Sequence, residues 1–205
     1  MALTSMPSAR MFRYEDAFTW ATRPSAASNK DRIIRITNIG TNGSFFQSNG
    51  TRWVPVFGDV TLLCDGAGYT VTGTTSETEL LAVTIPGGLM SANGQIEVIS
   101  YWSETNNANA KTIRMKIGGF SGTTINSIGA VSFLTMNNLL IVRNDNSTTA
   151  QKGMSSSTSG VGSAATATVS SAIDTSSDFQ LSFTGQLTVG TDSIGLVALH
   201  VVYRE

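Results

Sequence analysis

Gly195-Leu-Val-Ala-Leu-His-Val-Val-Tyr203 is a run of sequence that is apolar on both faces when drawn as an extended strand. Alternate side chains of a β-strand point to opposite faces of its sheet, so a strand of this kind has to be covered on both sides. The cover comes from a second packed sheet or from a neighbouring subunit, because exposed uncharged strand surface favours aggregation. The run therefore predicts a strand inside a β-sandwich or at a subunit interface, with His200 and Val202 as candidate interface residues.

The chain upstream of this run contains several more segments with the pattern of a β-strand. In the clearest of them, Ile113, Met115 and Ile117 alternate with polar side chains, which is typical of a strand with one buried face. No window of a dozen residues has the apolar spacing of an amphipathic helix. Residues 67–205 are therefore predicted to form an antiparallel, jelly-roll-like β-sandwich in an all-β protein. The predicted strands are Glu79–Ile85, Gln95–Trp102, Lys111–Ile117, Leu139–Arg143, Thr166–Ser170, Gln180–Leu187 and Ile194–Tyr203.

A smaller β segment is predicted ahead of the sandwich, over residues 31–66. Arg32–Ile39 is rich in β-branched residues, and Thr51–Val56 is a second candidate strand. Turn signals at Thr41-Asn42-Gly43 and Ser48-Asn49-Gly50 lie between them. Short strands joined by tight turns form a meander, so this part of the chain is predicted to be a small β meander.

Residues 1–30 differ in composition from the rest of the chain. Methionine and aromatic residues lie among Arg, Ser and Pro without a regular period, so the segment is predicted to have no core of its own. We interpret it as an extended N-terminal arm that is held by a partner surface. The candidate anchoring residues are Met11, Phe12, Tyr14, Phe18 and Trp20.

The charge and hydropathy of the chain exclude two classes of partner. Charged residues make up 13% of the sequence and the formal net charge is −1, with no basic run. Nucleic acid binding needs a concentrated Lys/Arg surface, so we expect no nucleic acid partner. No stretch approaches the roughly 20 apolar residues that span a bilayer, so we expect no membrane insertion. A net charge near zero also lets identical chains approach without repulsion, which favours a homo-oligomer.

The sequence shows no catalytic or metal-binding motif. His200 and Cys64 are the only residues of their types, so one subunit cannot assemble an ordinary zinc or copper site, although a threefold axis would gather three copies of His200. Cys64 is expected to be a small buried apolar residue. There is no Gly-x-Ser-x-Gly after a strand and no glycine-rich loop before a helix. We therefore expect no enzyme and no cofactor.

Carboxylates leave two alternatives open. Asp145, in Arg143-Asn-Asp-Asn-Ser147, is a candidate calcium ligand, although Asx turns explain the same residues. A glycosidase needs only a pair of carboxylates at a suitable separation, so this activity cannot be dismissed from the residues alone. Surface solubility is the simpler explanation for these side chains. The candidates are Glu77, Glu79, Glu97, Glu104 and Asp145.

A possible glycan surface lies around Tyr101 and Trp102. These aromatic residues precede a polar loop that contains Asn106 and Asn107, and flat aromatic rings next to amides suit carbohydrate. Successive residues of a strand point to opposite faces, so at most one of the two rings can join any one surface. Packing of these rings in a core is the alternative interpretation.

Several motifs follow one another from residue 32 onward. They are Arg32-Ile-Ile-Arg-Ile-Thr-Asn-Ile-Gly-Thr-Asn-Gly-Ser44, Gly50-Thr-Arg-Trp-Val-Pro-Val56, Gly73-Thr-Thr-Ser-Glu-Thr-Glu-Leu-Leu-Ala-Val-Thr-Ile-Pro86, the Asn-rich run from Trp102 to Arg114, and the Arg143–Ser147 turn. In this order they resemble small virion proteins of tailed bacteriophages, of the fibre, spike or head-decoration type. The resemblance supplies no active-site residues.

The resemblance implies a jelly-roll-like β domain that is usually trimeric and is fixed to the particle through its N-terminal portion. We therefore expect a bacteriophage structural protein: a homotrimeric fibre or spike subunit on the tail or head, located in the virion after assembly in the bacterial cytoplasm. Its expected partners are copies of itself, a capsid protein or tail adaptor, and a host surface glycan. The alternatives are a capsid decoration (cement) protein, a free carbohydrate-binding module and, last, a glycosidase or depolymerase.

Overall fold

The structure is a computed structural model that describes residues 16–40, 42–66, 68–130, 134–155 and 168–205. The chain divides into two compact units, residues 1–56 and residues 57–205. Helical structure in the described ranges is a single 3₁₀ turn, Ala27–Asn29. In the same ranges, no helix is long and apolar enough to cross a membrane.

The first unit contains a four-stranded sheet of order β1-β2-β3-β4. β1 runs parallel to β2, and the other neighbouring pairs are antiparallel. Pro55 lies in the edge strand β4, where its missing N–H leaves no ladder hydrogen bond unmade. The unit has its own buried apolar residues: Trp20, Ala26, Ile34, Ile36, Ile39, Phe46 and Trp53. The strands are β1 (Ala17–Phe18), β2 (Ile33–Ile36), β3 (Ser44–Ser48) and β4 (Trp53–Pro55).

Residues 16–30 are built into this first unit. The Trp20 ring is buried, and its centroid lies 5.1 Å from that of Phe46 on β3. The indole N–H of Trp53 donates to the carbonyl of Pro24 at 2.8 Å. The segment contacts the sheet mainly through irregular turns, so its apolar residues have neither a strand nor a helix period.

The second unit is a sandwich of two antiparallel sheets. One sheet has four strands in the order β10-β9-β14-β7; the other has seven, in the order β13-β12-β11-β8-β15-β5, with β6 also paired to β15. Apolar side chains from both sheets fill the interior, among them Ile96, Val98, Trp102, Ile113, Met115, Phe183 and Val201. The predicted all-β antiparallel sandwich is therefore confirmed. The strands are β5 (Asp59–Asp65), β6 (Tyr69–Thr72), β7 (Thr78–Ile85), β8 (Gln95–Glu104), β9 (Lys111–Ile117), β10 (Thr123–Ala130), β11 (Thr135–Asn144), β12 (Gln151–Ser155), β13 (Val169–Ser171), β14 (Phe179–Leu187) and β15 (Ser193–Arg204).

The boundaries of the parts differ from the sequence-based prediction. The predicted meander ran from residue 31 to residue 66, but β5 pairs with β15 and so belongs to the second unit. The predicted arm covered residues 1–30, but its second half is part of the first unit, and residues 1–15 lie outside the described residues. Both differences arise because pairing between distant parts of the chain decides which unit a segment joins.

Candidate functional site

Tyr101 and Trp102, the aromatic residues predicted to contact glycan, point to opposite sides of β8. Trp102 is fully buried in the sandwich, and its indole N–H donates to the Ser100 hydroxyl at 2.8 Å. Tyr101 lies on the outer face of the seven-stranded sheet and is 46% exposed. The prediction of glycan contact is therefore wrong for Trp102, which is a core residue.

The Asn-rich loop after β8 is closed by its own hydrogen bonds. The buried Asp192 carboxylate accepts hydrogen bonds from the side-chain amides of Asn107 at 2.8 Å and Asn109 at 2.9 Å. The buried Lys111 ammonium donates to the Asn107 side-chain oxygen at 2.9 Å and lies 3.7 Å from Asp192. These bonds favour the charged carboxylate and hold the pKa of Asp192 below its ordinary value. Asn107 is therefore a structural residue of the loop, whereas Asn106 is exposed.

His200 and Val202, the predicted interface residues, belong to the outer face of the seven-stranded sheet, where His200 is half-buried and Val202 is buried. Their strand, β15, lies between β8 and β5, and its alternate residues Leu199, Val201 and Tyr203 are buried in the core. Outward side chains of β15, β8, β11 and β12 form an apolar surface that we call the apolar face. Its residues are Ile99, Tyr101, Leu139, Ile141, Met154, Ala198, His200 and Val202, and the same rows also contain the polar residues Asn137, opposite Tyr101, and Glu97, between Val202 and Ile141.

Strand register arranges the apolar face in rows across the sheet. Leu139, Ile99 and His200 are directly opposite one another on β11, β8 and β15, and each is half-buried. Tyr101 and Met154 are more open, at 46% exposure each. Apolar and aromatic side chains that share one exposed sheet face are typical of a protein interface.

Charged side chains lie at one end of the strands, and we call them the charged rim; of these, Glu97 stands within the last row of the apolar face, between Val202 and Ile141. The Arg204 guanidinium lies 3.3 Å from the carboxylate of Asp59 on β5 and 3.3 Å from that of Glu97 on β8. Arg143 on β11 and Lys152 on β12 are opposite each other and exposed. Two carboxylates and one guanidinium give the β5–β15–β8 half of the rim a net charge of −1. Two cations give the β11–β12 half a net charge of +2.

Cys64 is exposed, so the expectation that it is a buried apolar residue is wrong. It lies on the edge strand β5, directly opposite His200 of β15. Paired residues of neighbouring strands point to the same face, so Cys64 shares the outer face with His200. The Nε2 atom of His200 lies 3.4 Å from the Thr61 hydroxyl on the same side.

The outer face of the four-stranded sheet carries a polar group that we call the Glu77 cluster. The Glu77 carboxylate accepts a hydrogen bond from the Thr184 hydroxyl at 2.6 Å and lies 2.9 Å from Lys116 and 3.6 Å from Arg114. Arg114 also donates to the side-chain oxygen of Gln186 at 2.9 Å. Partial burial opposes ionisation of Glu77, but the hydrogen bonds from Thr184 and Lys116 and the charge of Arg114 outweigh it. The pKa of Glu77 therefore lies below its ordinary value.

An exposed aromatic ring adjoins the Glu77 cluster. Phe120 is 41% exposed, and the Lys116 ammonium lies 4.8 Å from its ring centroid and donates to its carbonyl at 2.9 Å. Guanidinium, ammonium and amide groups held in fixed positions can donate to and accept from several hydroxyl groups. An aromatic ring beside them offers an apolar surface. The arrangement suits a ligand rich in hydroxyl groups.

Sequence reasoning missed this cluster. It treated Glu77 as a candidate carboxylate and Arg114 and Lys116 as the polar half of an alternating strand. The cluster forms because β14 pairs with both β9 and β7, which brings Thr184 opposite Arg114. Pairing between strands that are distant in sequence leaves no pattern in the local sequence. The available signal was the pair of cations, Arg114 and Lys116, on one face of a strand in a chain with few charges.

The other candidate carboxylates have separate environments. Glu79 and Asp145 are exposed, Glu104 is buried, and Glu97 contacts Arg204 at 3.3 Å. In the part of the chain that the structure describes, no group of three His, Cys, Asp or Glu side chains is arranged to hold a metal ion.

The candidate anchoring residues divide into two groups. Met11, Phe12 and Tyr14 lie outside the described residues. Phe18 is half-buried on β1, and Trp20 is buried in the first unit. The prediction of an anchoring contact is therefore wrong for Trp20, because its ring is packed into the core of its own unit.

Comparison with known proteins gives no family. No protein-family model matches this chain. No curated protein matches it either. Among solved structures, it is similar to lectin II from Ulex europaeus, with 8% identity, 86% of this chain and 100% of that chain covered, and a TM-score of 0.35. It is also similar to peanut lectin bound to a 9-residue peptide, with 8% identity, 92% and 94% covered, and a TM-score of 0.34.

A third similar structure is the CBM2 module of the evolved Dit protein of Lactobacillus casei BL23 phage J-1. Its identity is 10%, the alignment covers 59% of this chain and 67% of that chain, and the TM-score is 0.31. All three TM-scores are below 0.5. What these proteins bind therefore says nothing about the function of this chain.

Proposed function

We propose that the chain is a structural subunit that assembles with copies of itself, as a fibre or spike protein of a tailed bacteriophage particle. The observation that supports self-assembly is the apolar face of the seven-stranded sheet. Monomeric proteins seldom expose a contiguous apolar patch larger than a few hundred Å². Burial of such a patch stabilises a complex by roughly 25 cal/mol for each Å² removed from water, before the cost of association.

The dimensions of the apolar face support the same proposal. The apolar face and the charged rim together span five strands spaced about 4.8 Å apart and four outward rows about 6.8 Å apart, which is roughly 650 Å². A specific interface buries about 800 Å² on each partner. The face together with the charged rim therefore approaches the size of a stable interface between subunits.

The assignment to a phage particle is supported by the order of motifs from Arg32 to Ser147, and the same resemblance implies a trimer. In this proposal the protein has no enzymatic activity. Residues 1–15, which contain Met11, Phe12 and Tyr14, attach the subunit to a capsid protein or tail adaptor. The particle is assembled in the bacterial cytoplasm, and the second unit faces the host surface.

Self-assembly is tested by placing a charge in the apolar face. Ile99→Glu puts a carboxylate in the middle row, where its desolvation opposes burial. Light scattering of the eluting protein should give an oligomer for the unmodified chain and a monomer for this variant. Thr84→Glu, at an exposed position on the outer face of the other sheet, is the matched control and should remain oligomeric. Equal masses for all three proteins would contradict the assignment of this face.

A capsid decoration protein is the alternative form of the same structural function. The two differ in copy number, because a decoration protein follows the lattice of the shell and a fibre or spike occurs in a small symmetric set. Quantitative mass spectrometry of purified particles, with a major capsid protein as the internal reference, separates them. A copy number comparable to that of the capsid protein would replace the fibre assignment with the decoration assignment.

Carbohydrate binding is a second candidate function, and the Glu77 cluster beside Phe120 is the observation that favours it. A ligand with several hydroxyl groups would bind Arg114 and Gln186 and place an apolar sugar face on the Phe120 ring. A glycan array of the intact protein tests this function. Arg114→Ala should abolish any signal, whereas Arg143→Ala, which removes the same residue type from the other sheet, should preserve it. An empty array for the unmodified protein would contradict this function.

A further inference from the structure

A buried lysine between β8 and β9 lies in contact with a side-chain amide. Lys111 is the first residue of β9, and with Asn107, Asn109 and Asp192 it forms a group that we call the Lys111 cluster. The Lys111 side chain has no exposed surface, and that of Asp192 is 5% exposed. The Nζ atom of Lys111 donates to the side-chain oxygen of Asn107 at 2.9 Å. A lysine nitrogen held at this place is a nucleophile next to an electrophilic carbon, the Cγ atom of Asn107.

Further hydrogen bonds prepare the Asn107 amide for attack. Its oxygen also accepts from the backbone N–H of Asn109 at 3.0 Å, and this donor would stabilise the negative charge that develops on the oxygen. Its nitrogen donates to the Asp192 carboxylate at 2.8 Å. The same carboxylate lies 3.7 Å from Nζ of Lys111, so it is placed to accept a proton from the amine and to donate one to the departing nitrogen.

We propose that Lys111 and Asn107 join in an intramolecular isopeptide bond, which the folded chain forms without a cofactor. Asp192 takes a proton from the Lys111 nitrogen, which then attacks Cγ of Asn107. A bond forms between Nζ and Cγ, and the bond between Cγ and Nδ2 breaks. Two protons leave the lysine nitrogen and both end on the released nitrogen, which departs as an ammonium ion. The exchange of one amide for another needs no oxidant or reductant.

The geometry of the Lys111 cluster supplies the rate that such a reaction lacks between free molecules. Groups fixed in contact react as if one were present at about 10⁵ M or more. The buried side chains of Lys111 and Asp192 also keep water from competing for the carbonyl carbon. The bond closes a ring over residues 107–111 and fixes the loop between β8 and β9. It forms within one chain, so it does not depend on self-assembly.

Intact mass spectrometry of the denatured full chain tests the bond. The unmodified protein should be lighter than its sequence mass by one ammonia molecule, about 17 Da. Asn107→Asp has no amide nitrogen to release and Lys111→Met has no amine, so both should have their full sequence masses. Asp192→Asn removes the group that moves the proton and should accumulate the chain of full mass. Lys152→Met, which removes an exposed lysine from β12, is the matched control and should keep the loss.

Digestion with trypsin locates the bond. Trypsin cleaves after a charged lysine, and an amide at Nζ removes that charge. The unmodified protein should therefore resist cleavage after Lys111 and yield a peptide that continues to Arg114. Fragmentation of this peptide should give no backbone fragments that separate Asn107 from Lys111, because the ring holds the two ends together. Asn107→Asp should be cleaved after Lys111.

Three results would overturn the proposal. The first is a full sequence mass for the unmodified chain. The second is a loss of ammonia that persists in Lys111→Met, because an asparagine followed by glycine can lose ammonia by cyclising on its own backbone. The third is a loss of one water molecule, about 18 Da, which would place the bond on the Asp192 carboxylate. Circular dichroism checks that the variants are folded, and the mass of the unmodified chain decides the question without them.

Discussion

At the residue scale, β8 assigns different roles to two consecutive aromatic side chains. Trp102→Ala should lower the free energy of unfolding by about 3–5 kcal/mol, because it removes a fully buried ring and leaves a cavity. Tyr101→Ala should change it by less than about 1 kcal/mol, since this ring is 46% exposed. Urea unfolding at low protein concentration measures both. Equal losses in the two variants would contradict the placement of Trp102 in the core and Tyr101 on the apolar face.

A second prediction at this scale concerns pH. The pKa of Asp192 is held below its ordinary value of about 3.9 by Asn107, Asn109 and Lys111. The unfolded state therefore binds more protons than the folded state as the pH falls below about 4. The stability that this carboxylate contributes is lost as the pH falls further, through the lower pKa of the folded state. Asp192→Asn should be less stable than the unmodified protein at pH 6, and the difference should narrow towards pH 3. A difference that is constant across this range would contradict the structural role of the carboxylate.

At the element scale, close approach of two sheets explains a glycine in β12. A Cβ atom at Gly153 would lie 1.8 Å from the Cγ2 atom of Ile125 on β10. Gly153→Ala should therefore lower the free energy of unfolding by about 1–3 kcal/mol through overpacking. The matched control is Gly129→Ala on β10, where nothing lies within 4 Å of the added Cβ, and thermal unfolding compares the two. A neutral effect of Gly153→Ala would show that the sheets are further apart at this point.

The N-terminal segment gives another prediction at the element scale. Deleting residues 1–30 removes β1 and Trp20, so the first unit should lose hydrogen-exchange protection in β2 and β3. Deleting residues 1–15 should leave that protection intact. The shorter deletion is also the one that tests attachment to the particle. Full protection of β2 in the longer deletion would contradict the packing of Trp20 against Phe46.

Local patterns predicted many of the strands but not their partners. Lys111–Ile117 was predicted with the observed ends because Ile113, Met115 and Ile117 alternate with polar residues. β5 was placed in the wrong part because its partner β15 lies far along the chain. The Glu77 cluster was missed for the same reason, since it needs β7, β9 and β14 side by side. The spacing of apolar residues along a strand identifies its buried face. Which strands pair when they are distant in sequence is set by the packing of the whole sandwich.

At the scale of the whole molecule, the two outer faces of the sandwich differ in chemistry. The seven-stranded sheet presents the apolar face, and the four-stranded sheet presents the Glu77 cluster. The double apolar pattern of β15 already indicated that both of its sides are covered. The core covers Leu199 and Val201, Val202 is already buried within the chain, and we propose that a second copy covers His200.

The mass of the unmodified full chain in solution tests this account most directly. Sedimentation equilibrium over a wide range of protein concentrations should show reversible self-association, with a mass above the 21.6 kDa of one chain. Ile99→Glu should shift the protein to a single species of monomer mass under the same conditions. A sample of the unmodified chain that stays monomeric and soluble at every concentration would contradict the account.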